Sequence, residues 1–156
     1  MKITSSTEYA TRLMVMLARA YPQGPMPADR LSESENVPVD FVNQLLMRLR
    51  RAGLIESHRG TGGGYVLSRP PDAIKLGQVL RAVEGRIFED VCEKYSAADR
   101  DCHHQGHCSI SPVWQKLGAL IEQYFDGIAL SELLDEKPGS CGKVEAMLGR
   151  IPLEKL

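Results

Sequence analysis

The sequence lacks a long hydrophobic run and an amino-terminal leader. No apolar stretch approaches the roughly 18 residues that cross a membrane, and no charged, apolar and small-residue segment opens the chain. We therefore expect neither a membrane span nor export, and we expect a cytoplasmic location. Internal repeats and low-complexity segments are also missing, so we expect no repeat architecture.

Recognisable catalytic signatures are missing as well. The chain has no nucleophile and base pair, no phosphate-binding loop and no Cys-x3-Cys-x2-Cys radical motif. Its glycine triplet, Gly62 to Gly64, lies between two strand-like runs, whereas a phosphate-binding loop would open a helix. An enzyme that uses a cluster or zinc is thus the less favoured class, and we expect no enzyme and no small-molecule substrate.

The composition indicates one small core and one basic region. The 156 residues are 43% hydrophobic, which suffices for a single core with an extension. The net charge of −1 hides an asymmetry, because residues 41–70 contain five arginines and only one acidic residue, Glu56. This pattern indicates a polyanionic partner. The alternative, a solvated helix face, would mix in more acidic residues.

Helical patterns fill the first third of the chain. Ser5 and Glu8 have the spacing of a capping box, and apolar residues then recur with a helical period. A second helix is predicted over Ala28–Glu35 and a third from Val39 to Ala52, closed by Gly53. The predicted outer face of the third helix carries Asp40, Asn43, Gln44, Met47, Arg48 and Arg51.

A glycine-rich ribbon follows the third helix. Two strand-like runs, 54–58 and 64–68, are joined by Arg59-Gly-Thr-Gly-Gly, which predicts a hairpin with an extended tip. Three helices and a two-stranded ribbon are typical of a winged helix-turn-helix, whose third helix enters the major groove while the ribbon touches the flanking DNA. We predict a mainly α fold with a small β-wing.

The second half of the chain carries a further apolar helix. Ser109 or Ser111 is expected to cap it, and its apolar face is wide enough to need a second surface, so we interpret it as a dimerisation helix. We divide the chain into a winged helix-turn-helix domain (1–86), a cysteine-rich loop (87–110), the dimerisation helix with a short following segment (111–134) and a tail that we expect to be flexible (135–156).

Three of the four cysteines, Cys92, Cys102 and Cys108, fall in the loop. Cytosolic disulfides are rare, so clustered thiols in a reducing compartment indicate metal ligands or redox thiols. These cysteines and one loop histidine could hold zinc in a tetrahedral site, while a thiol switch and a metal-free loop are further alternatives. Cys141 lies outside the group and is interpreted as a spare thiol. The loop histidines are His103, His104 and His107.

The chain resembles the Rrf-type winged-helix repressors of bacteria, which include the iron-sulfur regulator IscR and the nitric-oxide-sensing repressor NsrR. The Arg59-Gly-x-Gly-Gly-Gly-Tyr65 wing is the most specific shared motif. The other matching segments are Lys2-Ile-Thr-Ser, Tyr9-Ala10, Gln44-Leu45-Leu46, Arg48-Leu49-Arg50, Gly53-Leu54, Val79 to Val83, the cysteine loop, Trp114 and Leu130-Ser131-Glu132-Leu133.

The resemblance implies a homodimer that reads an inverted-repeat operator in double-stranded DNA. It assigns Asp40, Asn43 and Gln44 to base edges, where amides can pair with adenine and a carboxylate suits only a cytosine amino group or the rejection of wrong sites. Arginine favours narrow A·T-rich minor grooves. The remaining implied contacts are Arg48 and Arg51 to phosphates, Arg59 in the minor groove, and Gly60, Gly62, Gly63 and Tyr65 in the wing that approaches the duplex.

The resemblance also implies a 2Fe-2S or 4Fe-4S cluster held by the three loop cysteines and one non-cysteine ligand. Here the first cysteine gap is longer than is usual in the family, and Ser111 stands where IscR-like members carry a histidine ligand. Another arrangement in the family takes a carboxylate from the first helix of the partner subunit, at the position of Glu8, whose alternative role is the capping box. His103, His104 and His107 are the rival candidates for this fourth ligand. Such a ligand leaves one iron labile, which suits a sensor. The predicted function is a repressor whose operator affinity is controlled by the cluster, or alternatively a zinc-stapled or thiol-switch DNA-binding protein.

Overall fold

The computed structural model describes residues 3–88 and 108–134. Most of the predicted cysteine loop and the whole predicted tail lie outside these ranges. The described elements are α1 (Ser5–Ala20), α2 (Ala28–Glu35), α3 (Val39–Arg51), β1 (Ile55–His58), β2 (Gly64–Leu67), α4 (Leu76–Glu84) and α5 (Ser111–Gly127), with 3-10 turns at Pro71–Ala73 and Leu130–Leu133. The mainly helical fold with a two-stranded wing confirms the predicted fold class.

One apolar core holds the four helices of the winged domain together. Leu13 and Met14 of α1, Leu31 of α2 and Leu46 of α3 have no exposed surface, and Val79 of α4 is equally buried. These side chains recur at helical spacing, so each helix turns one stripe inward and leaves the opposite face to solvent. None of the described helices is long and apolar enough to span a bilayer.

The start of α1 differs from the prediction by one residue. Thr4 is the N-cap, and its Oγ1 accepts a hydrogen bond from the Thr7 amide at 3.2 Å. Thr4 and Thr7 also donate through their hydroxyls to the Glu84 carboxylate, at the end of α4. This tertiary contact favours Thr4 over Ser5 as the cap. The predicted capping box between Ser5 and Glu8 is therefore wrong.

Helix α3 begins at Val39 as predicted, with Pro38 at its N-cap, and ends at Arg51, one residue before the predicted end. Its buried side consists of Val42, Leu45, Leu46 and Leu49. Gly53 follows the helix with φ of 70°, a left-handed conformation that glycine adopts at little cost, as the prediction required. Ala52 is the C-cap of the helix and is exposed.

The wing is an antiparallel hairpin that pairs Ile55 with Leu67 and His58 with Gly64. Tyr65 on β2 exchanges two backbone hydrogen bonds with Met26, at 2.9 and 3.0 Å, and this contact ties the wing to the segment before α2. An added Cβ at Gly64 would overlap the Met26 carbonyl, so the close approach of these two segments requires glycine.

Ion pairs and backbone hydrogen bonds join α5 and the segment after it to the winged domain. Arg81 of α4 forms ion pairs with Glu122 and Asp126 of α5. Beyond α5 the chain returns to the start of α4. There the Leu76 amide donates to the Ile128 carbonyl oxygen at 2.9 Å, and the Leu130 amide donates to the Ile74 carbonyl oxygen at 2.8 Å. The start of α5 has no side-chain cap, and Ile110 occupies the N-cap position. The expectation that Ser109 or Ser111 caps this helix is therefore wrong.

Candidate nucleic-acid interface and metal-ligand residues

The outer face of α3 gathers most of the residues predicted to read DNA. Asp40, Asn43, Gln44 and Arg51 are all exposed, as predicted. Asn43, Gln44 and Arg51 lie three, four and eleven residues after Asp40, which places all four on one side of a helix. Asn43 and Gln44 each offer a donor and an acceptor, and Arg51 adds positive charge. This face can pair with base edges and neutralise a phosphate at the same time.

Arg48 occupies the flank of α3 and has a partner inside the domain. Its Nη1 donates to the carbonyl oxygen of Val83, in the last turn of α4, at 2.8 Å. A cation at the carbonyl end of a helix also interacts favourably with the helix dipole. Arg48 therefore links α3 to α4, a role that spacing along the sequence does not reveal.

The tip of the wing carries the predicted minor-groove residue. Arg59 and Gly60 are exposed between the strands, and Gly60 and Gly62 have φ of 110° and 85°, which a residue with a Cβ rarely adopts. At Gly63 a Cβ would overlap the His58 carbonyl. The tip is thus a tight turn whose thin backbone presents one arginine. Tyr65 is different, because its side chain is half-buried and packs against the core.

The five arginines of the basic region divide into two groups. Arg48, Arg50 and Arg69 hold the domain together: Arg50 donates to the Ser57 hydroxyl at 3.1 Å, and Arg69 donates to Gly53 O and to the Gln78 side chain. Within residues 3–88 and 108–134, the side chains of Arg51 and Arg59 form no hydrogen bond or ion pair. These two arginines are the best placed to meet a polyanion.

Glu8 is an exposed carboxylate near the start of α1. Its side chain is 52% exposed, and Arg12 donates to Oε1 through both Nε and Nη2 at 2.8 Å. The hydrogen bond that Arg12 donates to Glu8 raises the pKa of Arg12 above its usual value, so Arg12 stays cationic in any ordinary buffer. Arg12 also approaches Glu35 at 3.5 Å. With the capping box absent, an exposed ion pair is the only described interaction of the Glu8 carboxylate.

Cys108 is the one predicted cysteine ligand in the described residues. It is half-buried directly before α5, and its Sγ accepts a hydrogen bond from the Ser111 amide at 3.4 Å. The predicted ligands Cys92 and Cys102, the alternative histidines and Cys141 lie outside the described residues. In the part of the chain that the structure describes, no three His, Cys, Asp or Glu side chains are close enough to hold a metal ion.

A known family matches most of the chain. A family model described as Rrf2, an iron-dependent transcriptional regulator, matches residues 3–136. The chain belongs to the Rrf2 family. This result confirms the resemblance found in the sequence. It also confirms that the chain is not an enzyme, because its relatives are transcriptional regulators.

Individual Rrf2 relatives cover nearly the whole chain. An HTH-type transcriptional regulator of Neisseria meningitidis is 32% identical over 142 residues, which is 91% of this chain and 93% of the relative. The regulator IscR of Aliivibrio salmonicida is 35% identical over 86% of this chain and 77% of its own length. Shared identity at this level and coverage identifies the chain as a DNA-binding transcriptional regulator.

Solved Rrf2 structures have the same fold. The global cysteine regulator CymR of B. subtilis matches with a TM-score of 0.73 and 27% identity, over 88% of this chain and 99% of CymR. IscR of T. potens matches with a TM-score of 0.65 and 29% identity, over 89% of this chain and 94% of that chain. The Rrf2 fold is therefore shared by regulators with different names and roles.

An exposed apolar strip on α5 completes the features of this Rrf2-family chain. Val113, Trp114 and Leu117 are 58%, 42% and 39% exposed, and no residue of α5 is buried. A helix with this much exposed apolar surface is a candidate for contact with another surface.

A groove of about 490 Å³ lies between α1, α4 and α5, with Glu8 and Glu84 among its lining residues. Sequence patterns contain no sign of this groove, because its walls come from three separate helices.

Proposed function

We propose that this chain is a dimeric repressor whose operator affinity is controlled by an iron-sulfur cluster. The observation that carries the proposal is the exposed α3 face, with Asn43, Gln44 and Arg51, beside a glycine-rich wing that presents Arg59. The family description of an iron-dependent regulator supports the link to iron. The protein would act in the cytoplasm, on double-stranded DNA.

In this proposal α3 enters the major groove and the wing follows the adjacent backbone. Asn43 and Gln44 pair with base edges, with adenine as the preferred partner of an amide, and Asp40 accepts from a cytosine amino group or excludes other bases. Arg51 binds a phosphate. Arg59 inserts into a minor groove narrowed by A·T pairs, and Gly60, Gly62 and Gly63 allow the wing backbone to approach closely.

Dimerisation is supported by the exposed strip on α5. Pairing of two such helices would bury the exposed parts of Trp114 and Leu117, which contributes about 25 cal/mol per Å² of apolar surface removed from water. A two-fold dimer presents two α3 helices, so its operator would be an inverted repeat with half-sites one helical turn or a multiple of it apart.

The described ligand candidates fit an iron-sulfur cluster. At Cys108, Sγ accepts an amide hydrogen bond just before the start of a 17-residue helix, and cluster-bound sulfurs accept hydrogen bonds of this kind. Within residues 3–88 and 108–134 the exposed Glu8 carboxylate is held only by Arg12, so it is accessible to a group on another subunit. In the proposed set Cys92, Cys102 and Cys108 hold the cluster together with Glu8 of the partner subunit. When bound, a cluster with one carboxylate ligand supplies an iron that can be lost or modified.

A continuous set of contacts connects Glu8 to the DNA-reading helix. Glu8 adjoins Thr7 on α1, and Thr7 donates to Glu84 at 3.2 Å. In the same turn of α4, Val83 accepts the hydrogen bond from Arg48 of α3. A shift at the start of α1 therefore has a short route to α3. This continuity is geometric, and coupling along it is the quantity to be measured.

The decisive experiment combines spectroscopy with DNA binding under anaerobic conditions. The purified protein is expected to show visible absorption with bound iron and sulfide, and to bind a selected inverted-repeat duplex with an affinity that changes at least about fivefold when the cluster is removed. A colourless protein with stoichiometric zinc would instead favour the zinc-stapled alternative. A colourless, metal-free protein with thiol-dependent DNA affinity would favour the thiol switch.

Matched variants separate the ligands from the remaining thiol. Cys92→Ala, Cys102→Ala and Cys108→Ala are each expected to lose the cluster, whereas Cys141→Ala should keep it. Arg59→Ala is expected to weaken operator binding in both cluster states. Unchanged operator affinity in Arg59→Ala would count against the wing contact, and an unchanged spectrum in any of the three loop variants would remove that cysteine from the ligand set.

A further inference from the structure

Met47 is a large apolar side chain on the polar outer face of α3. Its side chain is 42% exposed and is not part of the hydrophobic core. It lies four residues after Asn43 and four residues before Arg51, so both are its neighbours on the helix surface. Gln44 lies three residues before it. Met47 is therefore surrounded by the side chains that the proposed function places against DNA.

An isolated exposed methionine needs no special explanation on an ordinary surface. Its position here has a chemical consequence, because the major groove offers one apolar group, the C5-methyl of thymine. The polar neighbours of Met47 can bond to base edges but gain little from a methyl group. The unbranched thioether has several rotatable bonds and a polarisable sulfur, so it can adapt its contact to a methyl group at the floor of the groove.

We propose that Met47 is a specificity-determining residue that contacts a thymine C5-methyl group in each half-site. This inference rests on the proposed function, in which α3 enters the major groove. The contact would favour thymine over cytosine at that position, because cytosine presents an amino group and no methyl group there. It would add apolar discrimination to the hydrogen bonds of Asn43 and Gln44.

Val39 is the rival for this role. It is 36% exposed and stands at the first position of α3, where helix-turn-helix proteins often approach bases. The neighbours of Met47 in the sequence face other ways: Leu46 is fully buried and Arg48 is bound to Val83. An experiment must therefore separate Met47 from Val39.

The test replaces single thymines by deoxyuridine, which removes only the methyl group and keeps the base pair. A duplex obtained by in vitro selection is scanned at every thymine with the wild-type protein, Met47→Ala, Val39→Ala and Asn43→Ala. The wild type is expected to lose about threefold to fivefold in affinity at one thymine per half-site, in line with the burial of one methyl group. Met47→Ala should bind the thymine and uracil duplexes equally at that position.

The control variants make the outcomes distinct. Asn43→Ala should bind more weakly overall but keep the methyl effect, and Met47→Leu, which retains an apolar side chain, should keep most of it. Both Met47 changes introduce good helix formers at an exposed position, so folding is expected to be intact. Equal methyl effects in the wild type and Met47→Ala, or loss of the effect in Val39→Ala alone, would overturn the proposal. Wild-type protein that binds no selected duplex would instead contradict the proposed function itself.

Discussion

Arg48 Nη1 donates to the carbonyl oxygen of Val83 at 2.8 Å, and this hydrogen bond joins α3 to the last turn of α4. The bond spans 35 positions of sequence. It fixes the flank of α3 against a helix that also contacts α1 through Glu84 and α5 through Arg81. The orientation of α3, the proposed DNA-reading helix, thus depends on an arginine that the family resemblance assigns to a phosphate.

Arg48→Ala and Arg51→Ala are expected to weaken operator binding for different reasons. Arg51→Ala removes a phosphate contact, so the slope of log K against log salt should fall by about 0.9 per protomer. Arg48→Ala removes a positioning contact, so affinity should fall with little change of slope, and stability should fall by about 1 kcal/mol. Anisotropy titrations at several salt concentrations and thermal unfolding measure both. If the salt dependence of binding falls as much in Arg48→Ala as in Arg51→Ala, Arg48 contacts a phosphate instead.

Glu8→Ala and Arg12→Ala separate a ligand role of Glu8 from its ion pair. Both changes remove the same exposed salt bridge, which is worth less than about 1 kcal/mol. Only Glu8→Ala removes the proposed cluster ligand. We therefore expect loss or marked change of the anaerobic absorption spectrum in Glu8→Ala and a wild-type spectrum in Arg12→Ala. A wild-type spectrum in Glu8→Ala would transfer the fourth ligand to one of the loop histidines.

Gly64→Ala is expected to destabilise the wing. The added Cβ would overlap the Met26 carbonyl, so the bridge between Met26 and Tyr65 must open or shift. Overpacking of this kind costs about 1–3 kcal/mol, and operator affinity should fall because the wing tip moves. Gly127→Ala is the matched control, since a Cβ added there meets no atom within 4 Å, and we expect no change in either Tm or affinity. A Tm of Gly64→Ala equal to that of the wild type would contradict the packing.

Leu117→Glu is expected to dissociate the proposed dimer. Leu117 is 39% exposed on the apolar strip of α5, and a glutamate there would place a charge in the buried interface. The dissociation constant should rise by at least about tenfold, which corresponds to about 1.4 kcal/mol and which sedimentation equilibrium can measure. Gln123→Glu adds the same charge at an exposed position of the same helix outside the strip and should leave the assembly unchanged. Equal masses for both variants would place the interface elsewhere.

Much of the fold follows from local patterns. Apolar residues at helical spacing predicted α3 to within one residue of its end, the bounds of α2 were predicted correctly, and glycines between two alternating runs predicted the wing. Gly53 could be predicted because the end of a helix requires a left-handed residue at that point. The outer face of α3 followed from the same periodicity. These features depend on neighbours within a few residues, and the sequence displays those neighbours directly.

The partners of polar side chains could not be predicted in this way. Both Thr4 and Ser5 can cap a helix, and the choice of Thr4 depends on Glu84, which lies 80 positions away. The partner of Glu8 could not be predicted either, because its carboxylate pairs with Arg12 and does not cap the helix. Among the arginines, composition shows a basic region but not that Arg48, Arg50 and Arg69 bond within the domain.

By itself, then, the sequence determined the family, the helices and wing and the exposed outer face of α3, and it pointed to three cysteines as proposed metal ligands. The tertiary structure decided which arginines remain available to DNA, that the Glu8 carboxylate is exposed beside Arg12, and that α4 contacts α1, α3 and α5. The physical reason is reach. Backbone periodicity fixes the side of a helix on which a residue lies, whereas a long charged side chain selects its partner from whatever the folded chain brings within hydrogen-bonding distance.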